Sequence, residues 1–530
     1  MNLATPPDVQ ILANLIRQHA ATQPDLDVLT FVDIAKDGSL QEEIRTYQQL
    51  WDNGQRIAAW LKAKGVKKGD AFAVVMNNHP EFVDLMVASS ILGTIFVPID
   101  PRTRGDKLRF MLDHAECKGA FVANYALADI LALWAQEDTR WIVPLHRAAI
   151  SNPCLESMLN AVSPAPTLPV ESVDPAAPMQ ILYTSGTTGD PKAILTPHAK
   201  FYTGGSIAKV LGLTESDRPY TGLSLTHANA QVITLGMSLV NGLRGVISRK
   251  FTKSRLWDIT RHYGCTMFNL LGGMTTAVYA EPRRSDDADN PVRVVLSAGM
   301  PAAIWEDFAT RFDLKITEFY GAAEGGLTFN PHGAGPIGSC GKSSPTLELA
   351  ILDEDGARCA PGSAGEICFR NADGSAPALH YLKNPEATAK KTAGGWLHMG
   401  DIGHVDANGW LFFQYRMGGG IRCNGDFINT ALVEKALAEL DAVADVYVYG
   451  VALPGMAPGE KVVVAAIVPT TEQAFDAAAV FAACRLKLDS NAVPRYLHIV
   501  TEIPKTASEK PIERLLLESF NVDAENVISA

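Results

Sequence analysis

The apolar residues in the first part of the chain alternate between helical and strand spacing. Residues 47–64 and 82–92 carry apolar positions at the spacing of helices that bury one face, whereas residues 71–76 and 95–99 are short apolar runs typical of buried strands. A strand, helix, strand rhythm of this kind predicts a mainly parallel sheet that is covered by helices. We therefore predict an α/β fold for this region.

The same rhythm continues through the middle of the chain and then changes character twice. Residues 292–296 and 314–320 are predicted strands, and each is followed by a glycine-containing turn. Because ligands bind at the carboxyl ends of strands in open α/β sheets, both turns are candidate binding loops. Residues 347–370 carry short alternating strand patterns that indicate a smaller β subdomain. After residue 415, helix and strand patterns indicate a small α+β domain.

The length of the chain, 530 residues, is too great for one hydrophobic core. We predict a large N-terminal domain over residues 1–415, built of helix-covered mixed sheets plus the β subdomain. A hinge is predicted at residues 416–420, because three consecutive glycines there give the backbone wide conformational freedom. Residues 421–530 are predicted to form a small, mobile α+β C-terminal domain.

Composition and charge narrow the class of protein. The chain is 47% hydrophobic and 20% charged, which is ordinary for a globular protein, and no apolar run reaches the roughly 20 residues of a transmembrane helix. The net charge of −12 argues against nucleic acid as the main partner. The N-terminal residues lack the features of a signal peptide, and the eight scattered cysteines contain no CxxC pair, which argues against zinc. We expect a cytoplasmic location.

The most informative segment runs from Tyr183 to Lys192 and reads Tyr-Thr-Ser-Gly-Thr-Thr-Gly-Asp-Pro-Lys. Glycines let backbone N–H groups converge on one point, the four aliphatic hydroxyls add donors, and the lysine adds a full positive charge. That combination suits a polyphosphate. The segment is not the P-loop of NTPases, since Gly186 and Gly189 are only three residues apart. An ordinary connecting loop of the same composition is the alternative.

This segment resembles the phosphate-binding signature of the adenylate-forming superfamily, which comprises acyl-CoA synthetases, luciferases and the adenylation domains of peptide synthetases. Further segments resemble the same superfamily in the same order along nearly the whole chain. The resemblance implies ATP, Mg²⁺ and CoA as ligands. It assigns catalytic roles to Thr184 and Lys192 and a metal contact to Thr184. The residues that it assigns to the phosphates are Thr184, Ser185, Gly186, Thr187, Thr188, Gly189 and Lys192.

A second segment, Tyr320 to Glu324, follows a predicted strand and reads Tyr-Gly-Ala-Ala-Glu. The superfamily pattern has Thr before the Glu, so Ala323 removes one hydroxyl near the α-phosphate. The resemblance assigns Tyr320, Gly321, Ala322 and Ala323 to the nucleotide, and Gly321 also to the acyl substrate. It makes Glu324 a catalytic residue and a ligand of Mg²⁺, a cation that prefers oxygen ligands and neutralises phosphate charge.

A third segment, Gly-Trp-Leu-His-Met-Gly-Asp401, resembles the superfamily element whose Asp accepts hydrogen bonds from the ribose hydroxyls, with Met399 in place of Thr. Arg416 then matches an arginine that contacts ribose or phosphate. Gly418 replaces the charged hinge residue of the superfamily, so the ion pairs of that position are missing. Gly425 resembles the turn that lines the thiol tunnel for CoA.

A fourth segment, Pro504 to Lys510, reads Pro-Lys-Thr-Ala-Ser-Glu-Lys, and Glu509 replaces the usual Gly. Lys510 matches the mobile catalytic lysine that bridges the carboxylate and the α-phosphate during adenylation. A compact ammonium on a flexible stem suits that role. By resemblance, the C-terminal domain rotates about the hinge between the two half-reactions and withdraws this lysine.

Two further positions complete the predicted site. His227 lies in Leu-Thr-His-Ala-Asn-Ala-Gln231, where the superfamily places a His or an aromatic residue beside the acyl pocket. Gly299 lies in Ser-Ala-Gly-Met-Pro301, a turn that resembles the adenine-binding loop, and is assigned to both nucleotide and acyl substrate. Two adjacent glycines, Gly272 and Gly273, suggest open space in the pocket and hence a bulky or aromatic acid.

The combined interpretation is an AMP-forming carboxylate–CoA ligase. Such an enzyme converts a carboxylic acid and ATP to acyl-AMP and pyrophosphate, then transfers the acyl group to CoA and releases AMP. Segments around His227 and Arg293 resemble the branch called carnitine- or crotonobetaine-CoA ligase-like. One alternative is an acyl-adenylate former that delivers to a carrier protein or another acceptor. Another is a degenerate nucleotide-binding protein, suggested by Ala323, Met399, Gly418 and Glu509.

Overall fold

The computed structural model describes residues 7–134, 139–148, 153–161, 163–184, 191–330, 334–417, 421–423, 426–428, 430–454, 456, 461–471, 475–488, 490–506 and 511–530. The chain forms two compact units. Unit 1 consists of Met1–Asn269, Asn290–Val295 and Leu379–Thr388, and unit 2 consists of Leu270–Asp289, Leu296–Ala378 and Ala389–Ala530. The predicted hinge at residues 416–420 stays a prediction, since residues 418–420 lie outside the described chain.

Helices occur along the whole described chain. The α-helices are α1 (Leu12–Thr22), α2 (Tyr47–Ala63), α3 (Pro80–Leu92), α4 (Gly105–His114), α5 (Leu127–Trp134), α6 (Leu155–Leu159), α7 (His198–Gly205), α8 (Ile207–Val210), α9 (Gly236–Asn241), α10 (Leu256–Tyr263), α11 (Gly272–Tyr279), α12 (Trp305–Phe312), α13 (Pro385–Lys391), α14 (Thr430–Ala438), α15 (Ala477–Lys487) and α16 (Glu513–Ser519). A π-helix, Asn229–Leu235, directly precedes α9. Short 3₁₀ turns lie at Pro7–Gln10, Asn124–Ala126, Lys253–Arg255, Ala302–Ile304 and Ala393–Gly395.

Strands alternate with these helices until α12 and predominate after it. They are β1 (Asp27–Ile34), β2 (Leu40–Thr46), β3 (Ala71–Val75), β4 (Ile95–Ile99), β5 (Gly119–Val122), β6 (Trp141–Pro144), β7 (Pro178–Thr184), β8 (Lys192–Pro197), β9 (Pro219–Thr221), β10 (Gly245–Ser248), β11 (Met267–Leu271), β12 (Val294–Ala298), β13 (Lys315–Ala322), β14 (Gly325–Phe329), β15 (Lys342–Ser343), β16 (Leu347–Leu352), β17 (Gly365–Asn371), β18 (Leu397–Val405), β19 (Leu411–Arg416), β20 (Ile421–Cys423), β21 (Asp426–Ile428), β22 (Val443–Val451), β23 (Val462–Pro469), β24 (Tyr496–Ile499) and β25 (Val527–Ser529).

Unit 1 contains two mixed sheets. The first has the order β6-β5-β3-β4-β7-β8, in which neighbours are parallel except for the antiparallel pair β7–β8. In the second, β11-β9-β10-β1 are parallel and β2 pairs antiparallel with β1. The structure therefore confirms the predicted α/β class with mixed sheets.

Helix α2 shows how the local sequence sets one of these elements. The Thr46 hydroxyl oxygen accepts a hydrogen bond from the Gln49 N–H, and the Gln49 side chain accepts one from the Thr46 N–H. This reciprocal cap starts the helix where the periodicity predicts it. Helix α2 packs on α3, and a Cβ on Gly54 would lie 2.6 Å from a methyl carbon of Val87. Only glycine allows the two helices to approach this closely.

Unit 2 contains the strands that follow the predicted binding loops. Strands β13 and β14 form an antiparallel hairpin, with β15 beside β14. Strands β16-β17-β18-β19 form an antiparallel meander in chain order. The meander confirms the β subdomain that the alternating pattern predicts, and it extends that subdomain to Arg416.

The C-terminal part of unit 2 has its own sheet, β22-β23-β24-β25, with both faces covered. Alternate residues of β23 point to opposite faces, as strand geometry requires. Val463, Ala465 and Ile467 pack with residues of α14 and α15, whereas Val462, Val464 and Ala466 pack with Leu516 of α16. The predicted helix and strands of this α+β region are confirmed. Throughout the described chain, every helix is too short or too polar to cross a lipid bilayer.

Candidate active site

The glycine- and hydroxyl-rich segment connects two paired strands of unit 1. Strand β7 ends at Thr184 and β8 begins at Lys192, and these two residues are partners in the antiparallel register. The Thr184 hydroxyl donates to the Lys192 carbonyl at 3.4 Å. The Lys192 ammonium lies 5.3 Å from the centre of the Tyr381 ring, and the residue is exposed. Strand β7 therefore ends within the predicted segment, and an exposed lysine stands at the first position of β8.

Several predicted site residues lie outside the described chain. For the phosphate segment these are Ser185, Gly186, Thr187, Thr188 and Gly189. The tunnel residue Gly425 and the mobile lysine Lys510 also lie outside it. Their roles remain predictions.

In unit 2, the predicted adenine loop is shaped by a glycine conformation. Strand β12 ends at Ala298, and Gly299 follows with a φ of +100°, which L side chains rarely adopt. A Cβ on Gly299 would lie 3.3 Å from the Cα of Gly272. The backbone N–H groups of Gly299 and Met300 both donate to the carboxylate of Glu318 on β13, from Met300 at 3.1 and 3.2 Å. The turn is thus fixed by a buried side chain from the neighbouring strand.

The role of Glu318 is missing from the sequence analysis. Its side chain is buried, and burial raises the pKa of its carboxyl group to about 8, although the N–H groups of Gly299 and Met300 oppose that rise. In the sequence, the only indication of this role is that Glu318 is a single acidic residue within the apolar pattern of β13. Buried carboxyl groups are rare unless they are paired, so such a position indicates a specific partner.

The centre of the site in unit 2 is the carboxylate of Asp401, which is 3% exposed. The Tyr320 hydroxyl donates to its Oδ2 at 2.6 Å. The Arg416 guanidinium donates from Nε to Oδ1 at 2.8 Å and from Nη2 to Oδ2 at 3.3 Å. Asp401 and Arg416 are cross-strand partners in the register of β18 and β19. Three residues from three predicted motifs therefore meet at one carboxylate.

The Tyr320 ring is held on both sides by aromatic residues of the meander. Its centre lies 6.3 Å from that of Phe369 and 6.3 Å from that of Phe413, with interplanar angles of 19° and 30°. Burial, followed by the charge of Asp401, raises the pKa of the Tyr320 hydroxyl above its ordinary value. The phenol therefore stays protonated at neutral pH and acts as a hydrogen-bond donor to Asp401.

Two further charged groups adjoin this carboxylate. Glu324, at the β13–β14 turn, is half-buried and is one of the acidic groups whose field raises the pKa of Arg416, after Asp401. Lys391, at the end of α13, donates to the Met399 carbonyl at 3.0 Å. Burial lowers the pKa of the Lys391 ammonium, while Glu324 and Asp401 oppose that effect. Lys391 is absent from the sequence prediction, since it belongs to none of the motifs.

The predicted residues Gly321, Ala322 and Ala323 form the hairpin end beside Tyr320. Gly321 lies opposite Leu327, and a Cβ on Gly321 would lie 2.7 Å from the Gly326 carbonyl oxygen. Gly321 and Ala322 are exposed. Glycine is therefore required here by the close approach of the two strands, and the exposed edge is open to a ligand.

Around His227, unit 1 presents a line of buried polar groups. The Asn229 N–H donates to the His227 Nδ1 at 3.3 Å. Asn229 is also the acceptor for the Asn269 amide, and the Thr234 hydroxyl donates to the Asn269 side-chain oxygen at 3.0 Å. Gln231 is fully buried, and its Oε1 has no hydrogen-bond partner among the described residues. The π-helix aligns these side chains, which periodicity at 3.6 residues does not predict.

The donor set of unit 2 fits a magnesium nucleotide. Carboxylate oxygens are the ligands that Mg²⁺ takes, and Glu324 offers one that is partly accessible. The cationic groups of Arg416 and Lys391 lie beside it, as an anionic phosphate requires. Asp401 can also accept hydrogen bonds from ligand hydroxyls, because a carboxylate has about four acceptor positions.

The chain matches sequence profiles of one enzyme family over most of its length. The profile of AMP-binding enzymes matches residues 16–378, and that of the AMP-binding enzyme C-terminal domain matches residues 432–510. Among curated relatives, a medium/long-chain-fatty-acid–CoA ligase of Mycobacterium marinum is 29% identical over 88% of this chain and 89% of its own. A sulfoacetate–CoA ligase of Cupriavidus necator is 28% identical over 98% and 99%, respectively.

Solved structures with the same fold include an anthranilate–CoA ligase in complex with anthranoyl-AMP. It superposes with a TM-score of 0.83 at 22% identity, over 97% of this chain and 98% of that chain. The o-succinylbenzoate–CoA synthetase of Bacillus subtilis, in complex with its acyl-adenylate intermediate, gives a TM-score of 0.77 at 23% identity, over 96% and 98%. Both likenesses establish the fold, including a large N-terminal and a small C-terminal part.

Proposed function

This chain belongs to the AMP-binding enzyme family, and on that premise we propose that it is an AMP-forming carboxylate–CoA ligase. It activates a carboxylic acid with ATP to give acyl-AMP and pyrophosphate, then transfers the acyl group to the thiol of CoA and releases AMP. The observation that carries the proposal is the meeting of Tyr320, Asp401 and Arg416 at one buried carboxylate, with Glu324 and Lys391 beside it.

The proposed adenylation step brings three negative groups together, so the site has to be electropositive and organised in advance. The acid's oxyanion attacks the α-phosphorus in line, the new bond from oxygen to phosphorus forms, and the bond to pyrophosphate breaks. Lys192 holds the outer phosphates, and Asp401 accepts hydrogen bonds from the ribose hydroxyls. Glu324 and the Thr184 hydroxyl would hold Mg²⁺, which would supply neutralisation of the phosphate charge.

For nucleotide positioning, we propose that Arg416 has two partners. It orients Asp401 through two charge-assisted hydrogen bonds, and its exposed side lies toward the nucleotide; its side chain is 56% exposed, against 4% for that of Asp401. A planar guanidinium suits such a position, because it can serve a carboxylate and a phosphate or hydroxyl oxygen at once. Lys391 adds a second positive charge near Asp401, and its hydrogen bond to the Met399 carbonyl holds the ammonium there.

For the second half-reaction, we propose the roles that the family resemblance implies. Lys510 serves adenylation, the hinge at residues 416–420 lets the C-terminal domain turn, and Gly425 lines the path of the CoA thiol. On either side of Lys510, the described residues Lys505 and Pro511 form an isolated antiparallel β-bridge. The Ile512 N–H also donates to the Pro504 carbonyl at 2.7 Å. The ends of the segment that carries Lys510 are therefore anchored.

The substrate is a carboxylic acid, and we propose that it is a bulky or aromatic small molecule, with His227 beside it. Gly272 does not provide pocket space, because a Cβ on this residue would lie 3.2 Å from the Gly299 carbonyl oxygen. Gly272 is thus explained by backbone packing against the adenine loop, and Gly273 carries the argument for pocket volume. We also propose that the protein belongs to the carnitine- or crotonobetaine-CoA ligase-like branch of the superfamily. A cytoplasmic location is likewise part of the proposal. The described cysteines are all free thiols.

The test is production of AMP and pyrophosphate from Mg-ATP with a panel of acids, each with and without CoA. The panel contains aromatic acids such as benzoate and anthranilate, medium-chain fatty acids, and small polar acids such as sulfoacetate. Pyrophosphate release with one class, and AMP turnover only with CoA, is the expected result. Pyrophosphate release that CoA does not affect would instead favour delivery to a carrier protein or another acceptor. Nucleotide binding without pyrophosphate release from any acid would favour the degenerate protein.

A further inference from the structure

A cluster of three potential metal ligands lies on the β subdomain, on strands β17 and β18. Glu366 and Cys368 are two residues apart on β17 and so point to the same face, and His398 lies beside them on β18. His398 Nδ1 is 2.8 Å from a carboxylate oxygen of Glu366 and 3.5 Å from the Cys368 sulfur. One ligand atom from each residue lies within 4.8 Å of the other two.

The hydrogen bonds around the cluster leave the three ligand atoms facing one another. His398 Nε2 is 3.2 Å from the Ala393 carbonyl oxygen, an acceptor that suits an N–H donor. The second carboxylate oxygen of Glu366 accepts from the Gly400 N–H at 2.9 Å. Outer hydrogen bonds of this kind orient the ligands of most protein metal sites, where a histidine donates its other N–H to a carbonyl or a carboxylate.

His398 Nδ1 lies close to both other side chains, 2.8 Å from a carboxylate oxygen of Glu366 and 3.5 Å from the Cys368 sulfur. A cation among the three ligand atoms would contact all of them. A hydrogen bond between His398 and Glu366 alone leaves the Cys368 thiol with only a weak hydrogen bond.

We propose that Glu366, Cys368 and His398 form a binding site for a divalent transition metal of the zinc class. The donor set, one carboxylate oxygen, one imidazole nitrogen and one thiolate, is among those that Zn²⁺ takes, with water or another group in the fourth position. The sequence argued against zinc because it has no CxxC pair, but the strand pairing brings together residues that are 30 positions apart.

One of the separations between ligand atoms already matches that of a tetrahedral site. Metal–sulfur and metal–nitrogen bonds of about 2.3 and 2.0–2.1 Å put the two ligand atoms about 3.6 Å apart, and Cys368 and His398 are separated by 3.5 Å. The Glu366 oxygen has to move outward by roughly half an ångström for the same bond lengths. Its side chain is 21% exposed and that of His398 is 27% exposed, so ions can enter from solvent.

Two features work against binding and set the conditions of the test. Burial, followed by the charge of Glu366, raises the pKa of the Cys368 thiol to about 12, so an ion has to displace that proton. The Lys391 ammonium lies near enough to interact with Glu366. The two negative charges of Glu366 and the Cys368 thiolate balance a divalent ion, and titration at mildly alkaline pH favours ligation.

The experiment is a titration of the full chain, freed of metal, with Co²⁺ and then with Zn²⁺ in competition. Co²⁺ bound to a thiolate gives a charge-transfer absorption that carboxylate or imidazole ligands alone do not. The expected result is one equivalent of that absorption, displaced by Zn²⁺. It should be absent in Cys368→Ser, and metal affinity should be at least about tenfold weaker in His398→Ala. Cys359→Ser is the matched control, since Cys359 is a half-buried cysteine whose sulfur faces the Ala364 carbonyl.

Two outcomes overturn the proposal. If the wild-type protein shows no thiolate absorption at saturating Co²⁺, the three side chains are held together by hydrogen bonds and bind no metal. If the absorption persists unchanged in Cys368→Ser or disappears in Cys359→Ser, the ion binds elsewhere. Because this readout depends on neither ATP nor an acid, it is independent of the proposed ligase activity.

Discussion

The Arg416 guanidinium and the Asp401 carboxylate are direct cross-strand partners, joined by hydrogen bonds of 2.8 and 3.3 Å. Asp401 is almost fully buried, whereas more than half of the Arg416 side chain is exposed. The pair therefore exposes the positive charge of Arg416, while the Asp401 carboxylate also accepts a hydrogen bond from the Tyr320 hydroxyl. This arrangement explains how residues from separate motifs act as one unit.

Replacement of Asp401 by Asn should weaken ATP use. The amide keeps the shape but loses the charge and one acceptor, so the proposed contact of Asp401 with the ribose loses a charge-assisted hydrogen bond. One bond of that kind contributes about 1.5–3 kcal/mol, so we expect kcat/KM for ATP to fall roughly 10- to 150-fold. Steady-state kinetics with varied ATP measure this. Asp373→Asn, in an exposed turn, is the control. Equal losses in both variants would remove Asp401 from the nucleotide site.

Replacement of Gly299 by Ala should damage both stability and nucleotide binding. The residue has a φ of +100°, and the new Cβ would lie 3.3 Å from the backbone of Gly272. Strain of this kind costs about 1–3 kcal/mol. Gly356→Ala is a matched control, because Gly356 has a φ of +78° and nothing within 4 Å of its Cβ. Thermal unfolding should show the larger loss of Tm for Gly299→Ala, with a raised KM for ATP in that variant alone.

The sequence predicted the bounds of helices and strands better than the contacts between residues that are distant along the chain. Helix α2 and strand β4 are found at, or within one residue of, their predicted bounds, because hydrophobic spacing and a capping box are local signals. The motif residues Tyr320, Asp401 and Arg416 were each predicted singly from resemblance. That they meet at one carboxylate follows from the pairing of β18 with β19 and from the hairpin of β13, neither of which local spacing can specify.

The groups that the sequence analysis missed are all defined by distant contacts. Glu318 is bound by the turn that carries Gly299, and Lys391 by the Met399 carbonyl. Each looks like an ordinary charged residue along the chain. For Gly272 the sequence suggested a functional reason, open space in the acyl pocket. The structure gives a packing reason instead, because the backbone of Gly299 leaves no room for a side chain.

The buried carboxyl group of Glu318 should make stability depend on pH. Burial raises its pKa in the folded state to about 8, above the ordinary value of 4.5, so the folded protein holds a proton that the unfolded chain releases between these values. The contribution to stability is complete below about pH 4.5 and is lost as pH rises toward 8, by at most about 1.4 kcal/mol per pH unit.

Glu318→Gln tests this dependence, because the amide resembles the protonated acid and does not titrate. The Tm of the wild type relative to that of Glu318→Gln should fall steadily from pH 5 to pH 8.5. Glu354→Gln, at an exposed turn, should keep the pH slope of the wild type. A constant difference between wild type and Glu318→Gln across this range would show that the carboxyl group keeps one protonation state throughout.

Lys510→Ala should separate the two half-reactions. The resemblance places this ammonium between the acid and the α-phosphate during adenylation only, so its loss should abolish acyl-AMP formation yet spare thioester formation from supplied acyl-AMP. Pyrophosphate release measures the first step, and thioester formation from synthetic acyl-AMP and CoA measures the second. Lys505→Ala is the matched control, since Lys505 lies in the same segment but is bound to Asp445 at 2.6 Å. If Lys510→Ala slowed both steps equally, one conformation would serve both, and domain rotation about residues 416–420 would have no role in alternating them.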